Sequence, residues 1–368
     1  MRHYSPDAYK QLFPQDRRSK GRPLRPQDNG DHYCTESNFF EWWYFDVGFT
    51  DGNWLVAVLH SSSYNMGDHR PTVDLRYYPS GGSSVVAMGR FSRREYESAR
   101  NHFRMRIGNS WAAEENGVYT LQLRQGAIEA DLIFNPQMQS WRVGSGHLFA
   151  DTSSGKYFNW VVPVPLARVE GTLTVGGHSR VVEGVGYHDH NWGNVYLRSA
   201  FQGWIWGRVW GEKHTLVFGN LVPQGGTPRV TPLLLGCDGK VWEVPDGFQL
   251  RWEYATGNAS IGTAEFCRLL LETNKGSDVS LSLTLLKPIE ITQIASLRAL
   301  LVPWRRLAEP LFYLTQQVPV CGRVTRALMG TGLYQRWAAR GVLHIAGDEI
   351  EVQGIVEKMV LESGGVDS

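Results

Sequence analysis

The sequence predicts an all-β protein made of two antiparallel β domains in tandem, and three observations predict it. Short runs of alternating or densely aromatic residues recur between turn residues along most of the 368-residue chain. The composition combines 40 Gly and 14 Trp with 12 % aromatic residues, a mixture of tight turns and large rigid side chains. Finally, Gly171-Thr-Leu-Thr-Val-Gly-Gly177 is echoed by Gly341-Val-Leu-His-Ile-Ala-Gly347. Each copy is followed at the same offset by a strand carrying Val182-Glu-Gly184-Val185 or Val352-Gln-Gly354-Ile355.

Residues 1–35 are polar and rich in Arg, Pro and Asp, and read as an arm packing on the surface or a partly disordered segment. Strands are expected at Phe39–Phe49 and Trp54–His60, with the Asp51-Gly52 turn between them. Others follow at Thr72–Tyr78, Ser84–Phe91, Gly117–Arg124 and Ala127–Asn135. Val169–Val175 and Ser179–Tyr187 form a hairpin over Gly176-Gly177, and Gly203–Trp210 with His214–Val222 form another over Gly211-Glu212. Strands at Leu233–Cys237, Val241–Val244, Phe248–Tyr254, Cys267–Leu271 and Val279–Leu286 continue the pattern. The repeat divides the chain into a first β domain at 36–195 and a second at 196–368. Within the second, residues 293–340 carry apolar positions at three- and four-residue spacing, broken by Pro303, Pro310 and Pro319, and predict a helical insertion. Its charges are nearly all Arg. It reads as a cap with a solvated Arg face, or as a helix touching an anionic membrane surface.

The charge balance, Lys+Arg 37 against Asp+Glu 36, argues against nucleic-acid binding. No run of apolar residues is long enough for a membrane span, and no secretory leader is expected at Met1–Pro6. Cys34, Cys237, Cys267 and Cys321 lack paired spacing, which suits thiols in a reducing, cytoplasmic setting. Dinucleotide, phosphate-loop and nucleophile-elbow signatures are absent, so no cofactor is expected. The oligomeric state is not legible.

The strongest local signal is Gly186-Tyr187-His188-Asp189-His190-Asn191-Trp192-Gly193. Strand alternation puts Tyr187, Asp189 and Asn191 on one face, and His188, His190 and Trp192 on the other. Such groups, once buried, must be hydrogen-bonded or used. Two readings stay open: a network locking the junction between domains, and a reactive centre. A metal held by His188 and His190 would need a third ligand, such as His60 or His214. No spacing supplies one, so no metal is expected. A second signal is Glu41-Trp42-Trp43-Tyr44-Phe45, where Glu41 shares a face with Trp43 and Phe45. An acid among aromatics there suits a general acid, and the alternative is Glu41 at the strand edge, facing solvent or pairing with an Arg. The third is Trp204-Ile-Trp206-Gly-Arg208-Val-Trp210, with Arg208 and the Trp residues on one face, able to stack on a conjugated group or to pack on one another.

These three motifs together resemble the superfamily of hydroxyneurosporene synthase (carotenoid 1,2-hydratase), AttH-like proteins and the decalin-forming Diels–Alderases. The resemblance runs over most of residues 36–360. It implies two tandem lipocalin-like antiparallel barrels, and a lyase or cyclase acting without cofactor on long, apolar, conjugated chains. The hydratase branch would place a proton-donating Asp at Asp189. That branch also carries a His before its Trp-x-x-Pro stretch, whereas this chain has Tyr157-Phe158-Asn159-Trp160-Val161-Val162-Pro163. The Diels–Alderase branch is more similar, sharing Tyr-His-Asp-x-Asn-Trp-Gly. It implies an intramolecular [4+2] cyclase of a polyene polyketide. A hydratase of isoprenoid alkenes and a non-catalytic carrier of an apolar ligand are the alternatives. The candidate catalytic residues are Glu41, Tyr187, His188, Asp189 and Lys358. The candidate substrate contacts are Trp43, Tyr44, His60, His190, Asn191, Trp192, Trp204, Trp206 and Arg208.

Overall fold

The computed structural model describes residues 24–63, 69–226, 228–244, 247–254, 266–273, 279–295, 331–345 and 347–361. Among them the chain is almost wholly β. The first sheet has twelve strands. These are β1 (Phe40–Phe49), β2 (Trp54–Ser62), β3 (Thr72–Tyr78), β4 (Val85–Arg90), β5 (Tyr96–Ser98), β6 (Arg104–Ile107), β7 (Ser110–Glu115), β8 (Val118–Gln125), β9 (Ile128–Pro136), β10 (Trp141–Asp151), β11 (Lys156–Val175) and β12 (His178–Gly193). A helical turn, Leu197–Ala200, leads into a nine-stranded sheet. It comprises β13 (Phe201–Trp210), β14 (His214–Pro223), β15 (Leu233–Cys237), β16 (Lys240–Glu243), β17 (Phe248–Tyr254), β18 (Phe266–Thr273), β19 (Val279–Ala295), β20 (Thr331–Ile345) and β21 (Asp348–Val360).

The two sheets are built alike. In each, the last strand returns beside the first: β12 pairs antiparallel with β1, and β21 with β13. The closing hairpins share a register, Gly171 facing Val182 and Gly341 facing Val352. Glycine is required at both places, because a Cβ would overlap the carbonyl oxygen of Asp131 or of Ser282 on the neighbouring strand. The turn at Gly176-Gly177 needs positive φ at both residues, which Gly supplies without strain.

Each sheet curls around its own core. Phe45, Leu59, Leu75, Phe103, Leu121 and Phe134 fill the first, and Ile205, Phe218, Leu269, Leu283 and Trp337 the second. A third cluster joins the two sheets. It draws Phe40, Tyr44 and Trp160 from the first and Trp206, Leu221 and Met359 from the second. Arg208 of β13 crosses the same junction to ion-pair with Asp46 of β1, and both are fully buried.

Two expectations are corrected. The ends of the predicted helical insertion are strand: 293–295 belong to β19 and 331–340 to β20, and residues 296–330 lie outside the described residues. The physical reason is strand alternation at 333–339, which puts Tyr334, Arg336 and Ala338 toward the junction of the sheets while Trp337 enters the second core. The end of the N-terminal arm packs more deeply than an arm laid on the surface. Asp28, Asn29 and Asp31 are buried, because Asn29 bonds His188 Nε2 at 3.0 Å and its carbonyl accepts from Trp43 Nε1 at 3.1 Å. Residues 1–23 lie outside the described residues. No helix among the described residues is long and apolar enough to cross a membrane.

Candidate active site between the two sheets

β12 presents two different chemistries on its two faces. His188 and His190 point into the curl of the first sheet, where His188 stacks on Phe45 and His190 on Trp43. His188 Nδ1–H donates to the Tyr44 carbonyl at 3.0 Å, so Nε2 accepts from Asn29. Burial lowers the His188 pKa to about 3, which keeps the ring neutral. His190 Nε2 donates to Glu41 Oε1 at 3.1 Å, and Glu41 also accepts from the His32 backbone N–H at 2.7 Å and from Ser61 Oγ. Burial raises the Glu41 pKa well above the carboxylate range and pushes that of His190 down. Trp192 stacks on His32, with ring centres 4.0 Å apart. Glu41, Trp43, His190 and Trp192 are thus in contact with one another on the first-sheet side of β12, and Asn29 links Trp43 to His188.

The other face of β12 meets the second sheet across a cavity of about 240 Å³. Trp42, Phe158, Trp160, Trp204 and Trp206 supply aromatic walls, and Val56, Val58, Leu148, Leu221 and Met359 aliphatic ones. Asp189 lies in this wall. Its Oδ2 accepts from Tyr187 Oη at 3.0 Å and Trp160 Nε1 at 3.1 Å, and its Oδ1 from Asn191 Nδ2 at 2.8 Å. Burial favours the neutral acid, whereas the bonds from Tyr187 and Trp160 favour the anion. Burial prevails, helped by the charges of Glu357 and Asp46, and the pKa rises to about 8.

An ionic network closes the opposite side. Arg336 Nε donates to Glu357 Oε1 at 2.8 Å and its Nη1 to Tyr78 Oη at 2.6 Å and Glu290 Oε2 at 3.2 Å. Tyr44 Oη donates to Glu357 Oε1 at 3.1 Å. Arg76 chelates Asp74 and also pairs with Glu290. His60 lines the cavity beside this network, its pKa lowered to about 4 by burial.

The cavity thus brings together Tyr44, His60, Asp189, Asn191, Trp204 and Trp206 from the sequence-derived candidates, with Tyr187 behind Asp189. Arg208 lies outside the lining and instead clamps Asp46, with the Trp210 ring 4.3 Å from its guanidinium. Lys358 is turned into the second sheet, 5.4 Å from the Trp252 ring, because its neighbours Glu357 and Met359 take the cavity face. Sequence reasoning missed Trp42, Trp160, Arg76, Glu290, Arg336 and Glu357 as lining groups. The repeat held the signal for Glu357, since it aligns that residue with Tyr187. Among the described residues no group of three or more His, Cys, Asp or Glu side chains is placed to hold a metal ion.

Comparison with known proteins bears out the resemblance read from the motifs. The family of carotenoid hydratase CrtC matches residues 143–254, which carry strands of both sheets. The chain is similar to a hydroxyneurosporene dehydrogenase of Chlorobaculum tepidum, 24 % identical over 57 % of this chain and 63 % of that one, so the match spans less than two thirds of that relative. It is also similar to the quinolone epoxide rearrangement protein asqO of Emericella nidulans, 24 % identical over 62 % of this chain and 73 % of that one. Among solved structures, an AttH-type protein of Nitrosomonas europaea shares the fold with a TM-score of 0.60 at 15 % identity, covering 92 % of this chain and 97 % of that one. CghA aligns with a TM-score of 0.62 at 12 % identity, covering 97 % of this chain and 98 % of the other, and a structure of CghA with Sch210972 is also similar.

Proposed function

We propose that this chain is a cofactor-independent cyclase that folds a linear, unsaturated, apolar substrate in the cavity between the sheets and joins it to itself by intramolecular [4+2] cycloaddition. One observation carries the reading: an aromatic-walled cavity converges on Asp189, a carboxyl that burial keeps protonated at neutral pH. Asp189 Oδ1, with Asn191 its one donor among the described residues, is free to carry the proton and give it in a hydrogen bond to the carbonyl conjugated to the alkene partner. Tyr187 and Trp160 fix the other oxygen. The aromatic walls hold diene and alkene in contact, and positioning of this kind is worth up to ~7–11 kcal/mol in the best intramolecular cases. The substrate class is a polyketide-like polyene with an acyl head, a reading supported by the likeness to CghA, which has been solved with a small molecule bound.

Hydration of an isoprenoid alkene is the second reading. The same protonated carboxyl is what proton transfer to an alkene needs, and the carotenoid hydratase match favours it. Incubating the pure protein with a linear polyene bearing an acyl head, in heavy water, separates the two. Faster and stereoselective cyclisation without carbon-bound deuterium is the outcome expected. Deuterium at carbon with an added hydroxyl would move the assignment to a hydratase, and tight binding with no product to a carrier. Asp189→Asn divides them again. A cyclase working by shape and hydrogen bonding keeps part of its rate, whereas a proton donor to carbon loses nearly all of it.

A further inference from the structure

The cavity has two polar ends. Asp189 pairs with Tyr44 on β1, and Tyr44 pairs with Val58 on β2. His60 lies two residues beyond Val58, in the row of Trp42 and Asn191. With strands ~4.8 Å apart and a rise of ~3.4 Å per residue, the Cα atoms of Asp189 and His60 stand about 12 Å apart. Both side chains line the same cavity, with the rings of Trp42 and Tyr44 between them. His60 is 7 % exposed, and its Nδ1 has no hydrogen-bond partner among the described residues. Nδ1 itself is closed off from the cavity space, so the edge of the ring that a ligand can meet is the one carrying Nε2, for which the described residues offer no hydrogen bond either. The ring is held neutral by burial, which suits it to a hydrogen bond rather than an ion pair.

The charges facing the cavity say what cannot enter. Asp74, Glu290 and Glu357 stand against Arg76 and Arg336, with Asp189 and His60 neutral. Each guanidinium is already matched: Arg76 by Asp74 and Glu290, Arg336 by Glu357 and Glu290. An incoming anion would lose its water and meet a formal excess of one carboxylate.

We infer that the substrate is an uncharged chain with a hydrogen-bonding group toward each end, one held at Asp189 and the other at His60, and that anionic heads are excluded. His60 is then the residue that sets specificity. This rests on the cavity being the substrate site. It adds the substrate's charge and its second polar group.

Quenching of tryptophan fluorescence tests both parts, since Trp42, Trp160, Trp204 and Trp206 line the cavity. The probes are decane-1,10-diol, decan-1-ol and decanoate. The diol is expected to bind roughly tenfold more tightly than the alcohol, as one added buried hydrogen bond can give, and decanoate more weakly than either. His60→Phe should bring the diol-to-alcohol affinity ratio close to one, and His60→Gln should restore part of it. Should the Phe variant not fold, the ordering on the unaltered protein decides alone. Decanoate binding as tightly as the diol, or a diol-to-alcohol ratio unmoved by His60→Phe, would overturn the inference while leaving the cavity a ligand site. Binding of none of the three would instead remove the cavity as the substrate site.

Discussion

Asp189 keeps its proton because three hydrogen bonds to its oxygens do not offset the loss of water around it. If it acts as a hydrogen-bond donor or acid, turnover is flat below pH 8 and falls as pH rises through about 8, by about tenfold per unit once the anion dominates. A pH–rate profile checks this, and Asp189→Asn should flatten its alkaline limb. A profile that instead rises through pH 8 would mean that the carboxylate is the working form. Stability follows the same proton. The folded pKa lies above the unfolded value, so the stabilisation is complete below ~4 and is lost as pH climbs toward 8. His60 and His188 act in the opposite sense. Their folded values, about 4 and about 3, lie below the unfolded ~6.5, so their contribution is present above that and is lost as the medium is acidified. At this scale the sequence was partly legible. The alternation of β12 separated Asp189 from His188 and His190 correctly. That Trp160 donates to Asp189 was not legible, because it depends on how β11 meets β12, whose register shifts between Val161 and Val164.

β13 and β1 illustrate how an element acts through one residue. Arg208 sits on the face of β13 that also presents Trp204 and Trp206, and from the motif alone it reads as a ligand contact. Its position two residues farther along the strand takes it past the cavity to Asp46, and its Nη2 also donates to the Val185 carbonyl at 3.1 Å. With both partners fully buried, removing one strands the other. Asp46→Leu or Arg208→Met alone should therefore cost about 3–5 kcal/mol in urea unfolding. The double variant Asp46→Leu/Arg208→Met should cost less than the worse single one, since no charge is then left unpaired. Additive losses in that cycle would show that the two side chains act independently. The same scale explains why the ends of the expected helical insertion are strand. Leu297, Leu300 and Leu301 are spaced for a helix, but Tyr334, Arg336 and Ala338 alternate, and the repeat already aligned Gly341–Gly347 with a strand. Alternation at 333–339 takes over where the helical spacing ends, and it carries the site residue Arg336.

At the scale of the whole molecule, the repeat explains why the cavity lies between the sheets. Tyr187 and Asp189 on the closing strand of the first sheet correspond, through the shared register, to Glu357 and Met359 on that of the second. The two closing strands bring these faces to the same cavity, so each sheet supplies half of the wall. Their opposite faces differ as the two interiors differ: His188 within the first and Lys358 within the second. The polar network crosses the junction as well, from Tyr44 to Glu357 and from Tyr78 to Arg336. A junction that holds an apolar cluster, a buried ion pair and these bonds should couple the sheets, so unfolding in urea should follow one transition by far-UV circular dichroism and by tryptophan fluorescence alike. Arg208→Met weakens that coupling and should separate the two curves. A ligand touching both walls should draw them together again, because it binds only when the sheets are joined. At a hundredfold excess over its Kd it adds about 2.7 kcal/mol to the joined state. Curves that stay separate under saturating decane-1,10-diol would show that the ligand rests on one sheet alone, and the cavity would then have to be reassigned to that sheet.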